Sequence, residues 1–396
     1  MTIAANVWLM KCHLSEPCRC KLAMMKKSKS QNKQIVLAIA LLLLAASCPA
    51  GRASKSPARG AQHKAAIGKK AKKPSPDQMA LEKSALTAFQ TGRYGEAEKL
   101  FKEAEKENGG DVSVQYYLAI SALYAGDMKE AEMALCRVII MADPESEFGV
   151  NARQTLKNYS RQFGVEHPYT QRDPLGILRW DTKKYPIKIW VSNGLVLPKG
   201  YIGPQLTGDN VHDLYPMLST NSFYARLATV EHYVPTYRDV VKQGINDWNF
   251  LCAEGLVKFE IVEDPTIADV LIFWCPESGA GSVGRTYYPD LRYEGCRAII
   301  HIETEYMRIW GARATMELRH TAAHEFGHVL GITIHSHDVD DLMHDAGKTI
   351  SWEESKQYSA ASPITRNDYV TLRAIYQLPA DQLFEPIPVK SSPAGK

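Results

Sequence analysis

The most informative part of the sequence for the fold is the stretch His324-Glu325-Phe326-Gly327-His328-Val329-Leu330-Gly331. It ends the segment 316–331, in which apolar residues recur at the spacing of a helix. On such a helix His324 and His328 lie one turn apart and face the same way. Two imidazoles so placed can hold one zinc ion, and Glu325 lies beside them, where it can take a proton from water. The pattern therefore predicts a metal-binding helix.

The residues that follow this helix supply a candidate for a third ligand. Gly331 comes three residues after His328, and a glycine there can adopt a positive φ that ends the helix and turns the chain back. That return would bring His335 to the metal, with His337 as the competing ligand. A short apolar piece with a methionine, Asp341-Leu342-Met343-His344, follows.

Together these features resemble the metzincin zinc endopeptidases, and in particular matrixin-like peptidases. The resemblance implies a catalytic Zn²⁺ bound by His324, His328 and His335. It implies that Glu325 is the general base that takes a proton from the zinc-activated water. It also implies that Met343 belongs to the Met-turn, an apolar floor beneath the metal. The family also has structural zinc and calcium loops, and these cannot be matched to this chain.

The chain departs from the family at the loop before the third histidine. Three residues, Ile332-Thr333-Ile334, separate Gly331 from His335, where the usual metzincin spacing has two. A bacterial subset of matrixin-like peptidases has this longer spacing, so we interpret the loop as a variant. The sequence leaves open whether it preserves activity, and it leaves His337 as an alternative ligand. No propeptide cysteine motif of the kind that silences matrixins is present.

The surrounding sequence predicts an α+β catalytic domain over residues 183–378, with a mixed twisted sheet, the zinc helix and a C-terminal helix. Strand patterns occupy 185–191, 257–262, 268–274 and 298–303, and helix patterns occupy 240–250 and 365–376. Residues 194–236 are interpreted as an inserted surface loop, with lining of the substrate cleft as the alternative. The glycine-rich loop 279–284 lacks a phosphate-binding lysine, which argues against a nucleotide site. Residues 379–396 are a tail.

A repeat precedes this domain. Gly92-Arg93-Tyr94-Gly95-Glu96-Ala97-Glu98 recurs as Gly126-Asp127-Met128-Lys129-Glu130-Ala131-Glu132, an offset of 34 residues. Residues 78–163 resemble the tetratricopeptide family, whose unit is a pair of helices. The resemblance implies an all-α module of helical hairpins with Phe101 and Leu135 in its core. Such a module either binds a partner protein or packs on the next domain, and the sequence does not choose between these roles.

The first 77 residues hold 15 Lys and Arg but only two acidic residues. Within them, the uncharged apolar run 35–46 follows a basic stretch and is too short to span a bilayer comfortably. We interpret residues 1–53 as a leader with a signal peptide, with Met24 or Met25 as an alternative start. Cys48 would carry a lipid that anchors the protein to a membrane if the signal were of the lipoprotein type.

Residues 54–77 predict a basic disordered linker, because they hold too little apolar surface to offset the entropy of ordering. The linker is a solvated spacer or a tether to an anionic membrane or wall polymer. The remainder of the chain carries a net charge of −10, which argues against nucleic acid as a partner. The protein is expected to be exported, as a secreted, periplasmic or cell-envelope protein.

Four cysteines lie in the part predicted to fold: Cys136, Cys252, Cys275 and Cys296. An exported chain permits disulfides, and Cys275–Cys296 is the expected pair because both lie near strand ends in one domain. Spacing alone does not establish the connectivity.

The sequence thus predicts an exported zinc endopeptidase that acts on a protein or peptide. One alternative is a non-catalytic tetratricopeptide binding protein with a structural zinc site. Another is a zinc hydrolase that cuts a non-protein wall polymer. Cleavage specificity, oligomeric state and latency are not readable from the sequence.

Overall fold

The structure is a computed structural model that describes residues 75–159, 168, 176–277, 283–311, 314–344 and 364–388. The chain divides into two units, residues 1–67 and 68–396. The predicted leader 1–53, with Cys48, and nearly all of the linker 54–77 lie outside the described residues. Within the described residues, none of the helices combines the length and apolarity that crossing a membrane requires.

The first part of the second unit is a series of helices. They are α1 (Pro76–Gln90), α2 (Tyr94–Asn108), α3 (Val112–Ala125), α4 (Met128–Met141) and α5 (Glu147–Asn158). Gly92 and Gly126, at the same place in the repeat, both have positive φ and follow the ends of α1 and α3. The predicted core residues Phe101 and Leu135 are buried. Membership of the tetratricopeptide family stays a prediction.

A five-stranded sheet follows, in the order β3-β2-β4-β6-β5. Its strands are β2 (Ile187–Val191), β3 (Phe259–Ile261), β4 (Val270–Cys275), β5 (Gly284–Tyr287) and β6 (Ala298–Glu303). The first four in this order are parallel, and β5 is antiparallel to β6. Strands β2, β4 and β6 are buried along their whole length, which fits their largely apolar sequences, and β2 and β6 also bury the polar residues Lys188, His301 and Glu303.

Helices cover one face of the sheet. They are α8 (Thr236–Asn246), α10 (Glu305–Trp310) and α11 (Ala314–Leu330), and the short helix α9 (Phe250–Ala253) follows α8. The cores of α1–α5, of these helices and of this sheet face form one continuous apolar cluster. Helix α11 also packs against β5, so the predicted metal-binding helix lies along an edge of the sheet.

The segment 194–236 is not the loose surface loop that the sequence indicated. It folds into short turns and two helices, α6 (Tyr215–Leu218) and α7 (Asn221–Tyr224), which cover the other face of the sheet. Leu206, Leu214 and Leu218 are fully buried there. The segment therefore supplies a second core.

The last two elements of the described residues are helix α12 (Arg366–Gln377) and strand β7 (Gln382–Phe384), and β7 pairs in parallel with β1 (Leu178–Trp180). Helix α12 packs against α4 of the helical part. Beyond β7, the backbone carbonyl of Ile387 accepts a hydrogen bond of 2.6 Å from the buried Lys188 ammonium, and its N–H donates one of 2.6 Å to Asp269. The predicted tail is thus tied to the sheet up to this point.

Candidate metal centre

Helix α11 presents His324 and His328 on one face, as their spacing predicts. The helix is fixed from both sides, because Leu318 and Phe326 are fully buried and the indole of Trp248 donates to the Ala323 carbonyl. After the helix, Gly331 has a φ of +123°, a conformation that L side chains rarely adopt. The chain turns back there and brings His335 toward the other two imidazoles.

The structure brings His324, His328 and His335 together, with ligand atoms within 4.8 Å of one another. The Nε2 atoms of His328 and His335 are 3.2 Å apart. Two imidazole nitrogens on a tetrahedral zinc with bonds of about 2.05 Å would be separated by roughly 3.3 Å. The three imidazoles are therefore close enough to bind a metal, and their separation fits zinc.

Backbone carbonyls fix which nitrogen of each helical imidazole faces the metal position. The Nδ1 of His324 lies 2.8 Å from the Leu342 carbonyl oxygen, and that of His328 lies 2.6 Å from the Ile332 carbonyl oxygen. Because a carbonyl only accepts, each Nδ1 carries the proton, and each Nε2 is left with a lone pair. Burial, followed by the neighbouring His328, lowers the pKa of His324 well below its usual value, which keeps this ring neutral.

Glu325 lies beside the histidines and faces strand β5. Its carboxylate accepts a hydrogen bond of 2.6 Å from the Thr286 hydroxyl. It also packs so closely on Gly284 that a β-carbon at that position would collide with it. Burial raises the pKa of Glu325 to about 7, and the Thr286 hydrogen bond and the Arg285 charge oppose that rise. A carboxyl with a pKa near neutrality is suited to accepting and returning a proton.

Met343 is fully buried and packs against helix α11. A β-carbon on Gly327, between the two helical histidines, would collide with the Met343 sulfur. The close approach shows that Met343 packs against the zinc-binding helix predicted from the sequence, and its Met-turn role stays a prediction. The backbone of the turn is held by Asp368, whose buried carboxylate accepts from the N–H groups of Leu342 and Met343 at 3.1 and 3.3 Å. Thr286 and Asp368 are not among the site residues that the sequence predicted.

Four other described histidines, His301, His320, His337 and His344, are not members of the group of three. His337 is exposed, and the Nδ1 of His344 lies 3.2 Å from the Ser336 carbonyl oxygen. His301 is buried on β6, and burial lowers its pKa to about 3. His320, one turn before His324, was not considered in the sequence analysis; the two ring centroids are 6.3 Å apart. Of the two candidates for the third ligand, the structure brings His335 into the group.

The expected disulfide between Cys275 and Cys296 was wrong. Both cysteines are free, as are Cys136 and Cys252. Strands β4 and β6 are parallel with Val270 opposite Ala298, so Cys296 lies near the start of the strands and Cys275 at their end. Seven residues of strand separate them, roughly 23 Å, whereas a disulfide needs α-carbons within about 7 Å. Burial instead raises the pKa of the Cys275 thiol to about 12, so it stays protonated.

Comparison with protein families matches residues 241–377 to the Matrixin family, peptidase family M10. This segment contains α11, the three histidines, Met343 and α12, and the family is one of zinc-dependent peptidases. A search of curated proteins found no match to this chain. The matched segment therefore supports a matrixin-like metallopeptidase domain, and it begins after the helices α1–α5.

Proposed function

We propose that the protein is a zinc-dependent endopeptidase that hydrolyses peptide bonds outside the cytoplasm. One observation carries the proposal: three imidazoles with the spacing of a zinc site lie beside the buried carboxylate of Glu325. The family match over residues 241–377 supports the same reaction class.

His324, His328 and His335 would hold the zinc, which supplies Lewis-acid chemistry by polarising a carbonyl and acidifying water. Glu325 takes the proton of the attacking water and passes it to the amine that leaves. Thr286 holds the Glu325 carboxylate on the side of β5 during this transfer. Met343 excludes water from beneath the histidines, which keeps them ordered.

Strand β5 offers a way to bind an extended peptide. It is the last strand in the sheet order and pairs only with β6 among the described strands. Its Gly284 and Thr286 lie against Glu325, so a peptide added along the free edge of β5 would pass the proposed base. Main-chain hydrogen bonds of this kind fit a protein or peptide substrate.

The non-catalytic alternative needs a closed metal site, because structural zinc normally has four protein ligands. Within the described residues the group has three members, and neither His337 nor a cysteine joins it. Three ligands with an open fourth position favour catalysis. Hydrolysis of a wall polymer would use the same three ligands, so the geometry of the metal site does not distinguish it from hydrolysis of a protein. Only the choice of substrate in an activity assay does.

Export is part of the proposal and rests on the sequence of the leader and linker. The apolar run 35–46 after a basic stretch supports removal of a signal peptide near residue 53. Mass spectrometry of the protein recovered outside the cytoplasm would give the mature N-terminus. Recovery of the uncleaved chain in the cytoplasm alone would contradict export.

The test of the reaction is zinc content together with casein hydrolysis, for wild type and Glu325→Gln. Glu325→Gln should keep one zinc and lose at least about 100-fold in hydrolysis, because it removes the proton acceptor and leaves the histidines in place. Glu260→Gln, at an exposed glutamate on β3, is the matched control and should behave as wild type.

A wild type that binds no zinc would overturn the site assignment. Zinc without hydrolysis of any protein offered, but with release of fragments from cell-wall material, would favour the wall-polymer alternative. If Glu325→Gln retained the hydrolysis seen for wild type, Glu325 would not be the proton acceptor.

A further inference from the structure

We propose that the helical part α1–α5 is a positioning element of the metal centre and acts on it through the ion pair between Glu132 and Arg366. The inference rests on the proposed function, because it assigns a role toward the zinc that His324 would bind. Glu132 lies outside the segment that matches the Matrixin family.

The first step is the contact between the two helices. Glu132 on α4 is 8% exposed, and its carboxylate is 2.6 Å from the guanidinium of Arg366, the first residue of α12. At the other end, the buried Arg137 of α4 donates a hydrogen bond of 2.6 Å to the side chain of Gln377, the last residue of α12. Helix α4 thus holds α12 at both ends.

Arg137 is itself held in place by the helical part. Its guanidinium also bonds Gln115 of α3 and Glu130 of α4, at 2.7 and 2.8 Å, and lies 3.1 Å from the Glu105 carboxylate of α2. Side chains from three helices, α2, α3 and α4, thus bind the buried guanidinium of Arg137, and its Nη1 reaches Gln377 of α12. Because the other guanidinium nitrogens already have partners on these helices, displacing α12 would leave the buried Nη1 donor without its acceptor.

The N-terminal end of α12 contacts the segment that contains Met343. Asp368, two residues after Arg366, accepts from the N–H groups of Leu342 and Met343 at 3.1 and 3.3 Å. Thr365 at the helix start completes the junction, since its N–H donates to the same carboxylate at 2.7 Å and its hydroxyl to Asp341 at 2.5 Å. The turn is therefore attached to the end of α12 that Glu132 holds.

The same segment contacts the imidazole of His324. The Leu342 carbonyl accepts from the Nδ1 of His324 at 2.8 Å, and this bond orients the ring. A shift of α12 would move Leu342 through Asp368, and the Nε2 of His324 would turn with it. Glu132 and Arg366 are thus positioning residues that touch neither substrate nor metal.

The test compares Glu132→Gln and Arg366→Gln with wild type in the full chain. Arg366 has a half-exposed side chain, so its replacement breaks the pair without opening the core. Zinc affinity is measured by chelator competition, and hydrogen exchange of the Leu342 and Met343 amides is measured in metal-free protein. Each variant should lose zinc affinity by up to about tenfold. Mutating a residue that directly bonds a metal ligand typically costs about 10- to 100-fold in affinity, and the substituted residue acts only through intervening groups, so a loss at the low end is expected. The two amides should exchange faster.

A charge swap and a matched control complete the design. The double variant Glu132→Lys with Arg366→Glu should restore much of the affinity and slow the exchange again. Glu98→Gln is the control, since Glu98 is similarly buried and paired but its partner Lys102 lies on its own helix. It should change neither readout.

Zinc affinity and amide exchange equal to wild type in both single variants would overturn the inference and leave the proposed function standing. The same changes in Glu98→Gln would also overturn it, because they would reflect general destabilisation. A wild type that binds no zinc would instead end the proposed function, and this inference with it.

Discussion

At the scale of single residues, the proposed base depends on one hydroxyl group. Thr286 donates to the Glu325 carboxylate at 2.6 Å and also lies 3.0 Å from the Glu325 carbonyl oxygen. Thr286 could not be found from the sequence, because it lies 39 positions from Glu325 and threonine is common in strands. His324, His328 and Glu325 could be found, since one helix carries them at a spacing that has a geometric meaning, whereas His335 lies beyond the helix and was one of two candidates.

Replacing Thr286 with valine should lower kcat about tenfold with little change in KM. Valine keeps the shape of the side chain but not the hydrogen bond, so the carboxylate loses its fixed orientation while the backbone edge of β5, the proposed substrate site, stays. Steady-state kinetics on a peptide substrate measure both constants. Thr286→Ser, which keeps the hydroxyl, should retain most of the activity, and a loss equal to that of valine would contradict this role.

At the scale of elements, the sequence predicted the long helices and strands and the short strand β3, and it missed the other short strands. Helix α11 and the strands β2, β4 and β6 begin and end within two residues of the ranges expected, because their apolar residues follow a clear period or form a buried run. Strands β1, β5 and β7 have three or four residues each, which is too few for a period to show. Their places are set by tertiary pairing.

The end of α11 requires a glycine, and Gly331→Ala should destabilise the protein by roughly 2–4 kcal/mol. The backbone strain of a positive φ and the collision of a β-carbon with the Leu178 carbonyl both contribute. Urea unfolding of metal-free protein measures the change. Gly295→Ala is the matched control, at a positive φ with open space around it, and should cost only about 1 kcal/mol. Equal losses in the two variants would show that the collision does not matter.

At the scale of the whole molecule, pairs far apart in sequence hold the helical part, the sheet and the chain end together. Glu132 and Arg366 are 234 residues apart, and Lys188 and Ile387 are 199 apart. No spacing rule covers such distances, so the sequence left open whether the helices pack on the next domain. The structure has α4 packed on α12, and a role in partner binding stays a separate question.

Ending the chain after Leu378 should destabilise it by roughly 3–6 kcal/mol. The truncation removes β7 and the two hydrogen bonds of Ile387 to the buried pair of Lys188 and Asp269, each bond to a charged group being worth about 1.5–3 kcal/mol. Urea unfolding would show the loss as a lower midpoint. A chain that ends after Pro388 should match the full chain, and equal stability of the two truncations would contradict this role of the tail.

The pairing of β1 with β7 has a consequence for the order in which the chain folds. Ile177 and Asp381, which bond at the start of this ladder, are 204 residues apart. Strand β1 in turn supports the end of α11, since the Trp180 indole donates to the Val329 carbonyl at 2.9 Å. Contacts of such long sequence separation form late. A growing chain would therefore complete its metal centre only after β7 has been made, and a chain interrupted before β7 would lack the ladder that supports the end of α11.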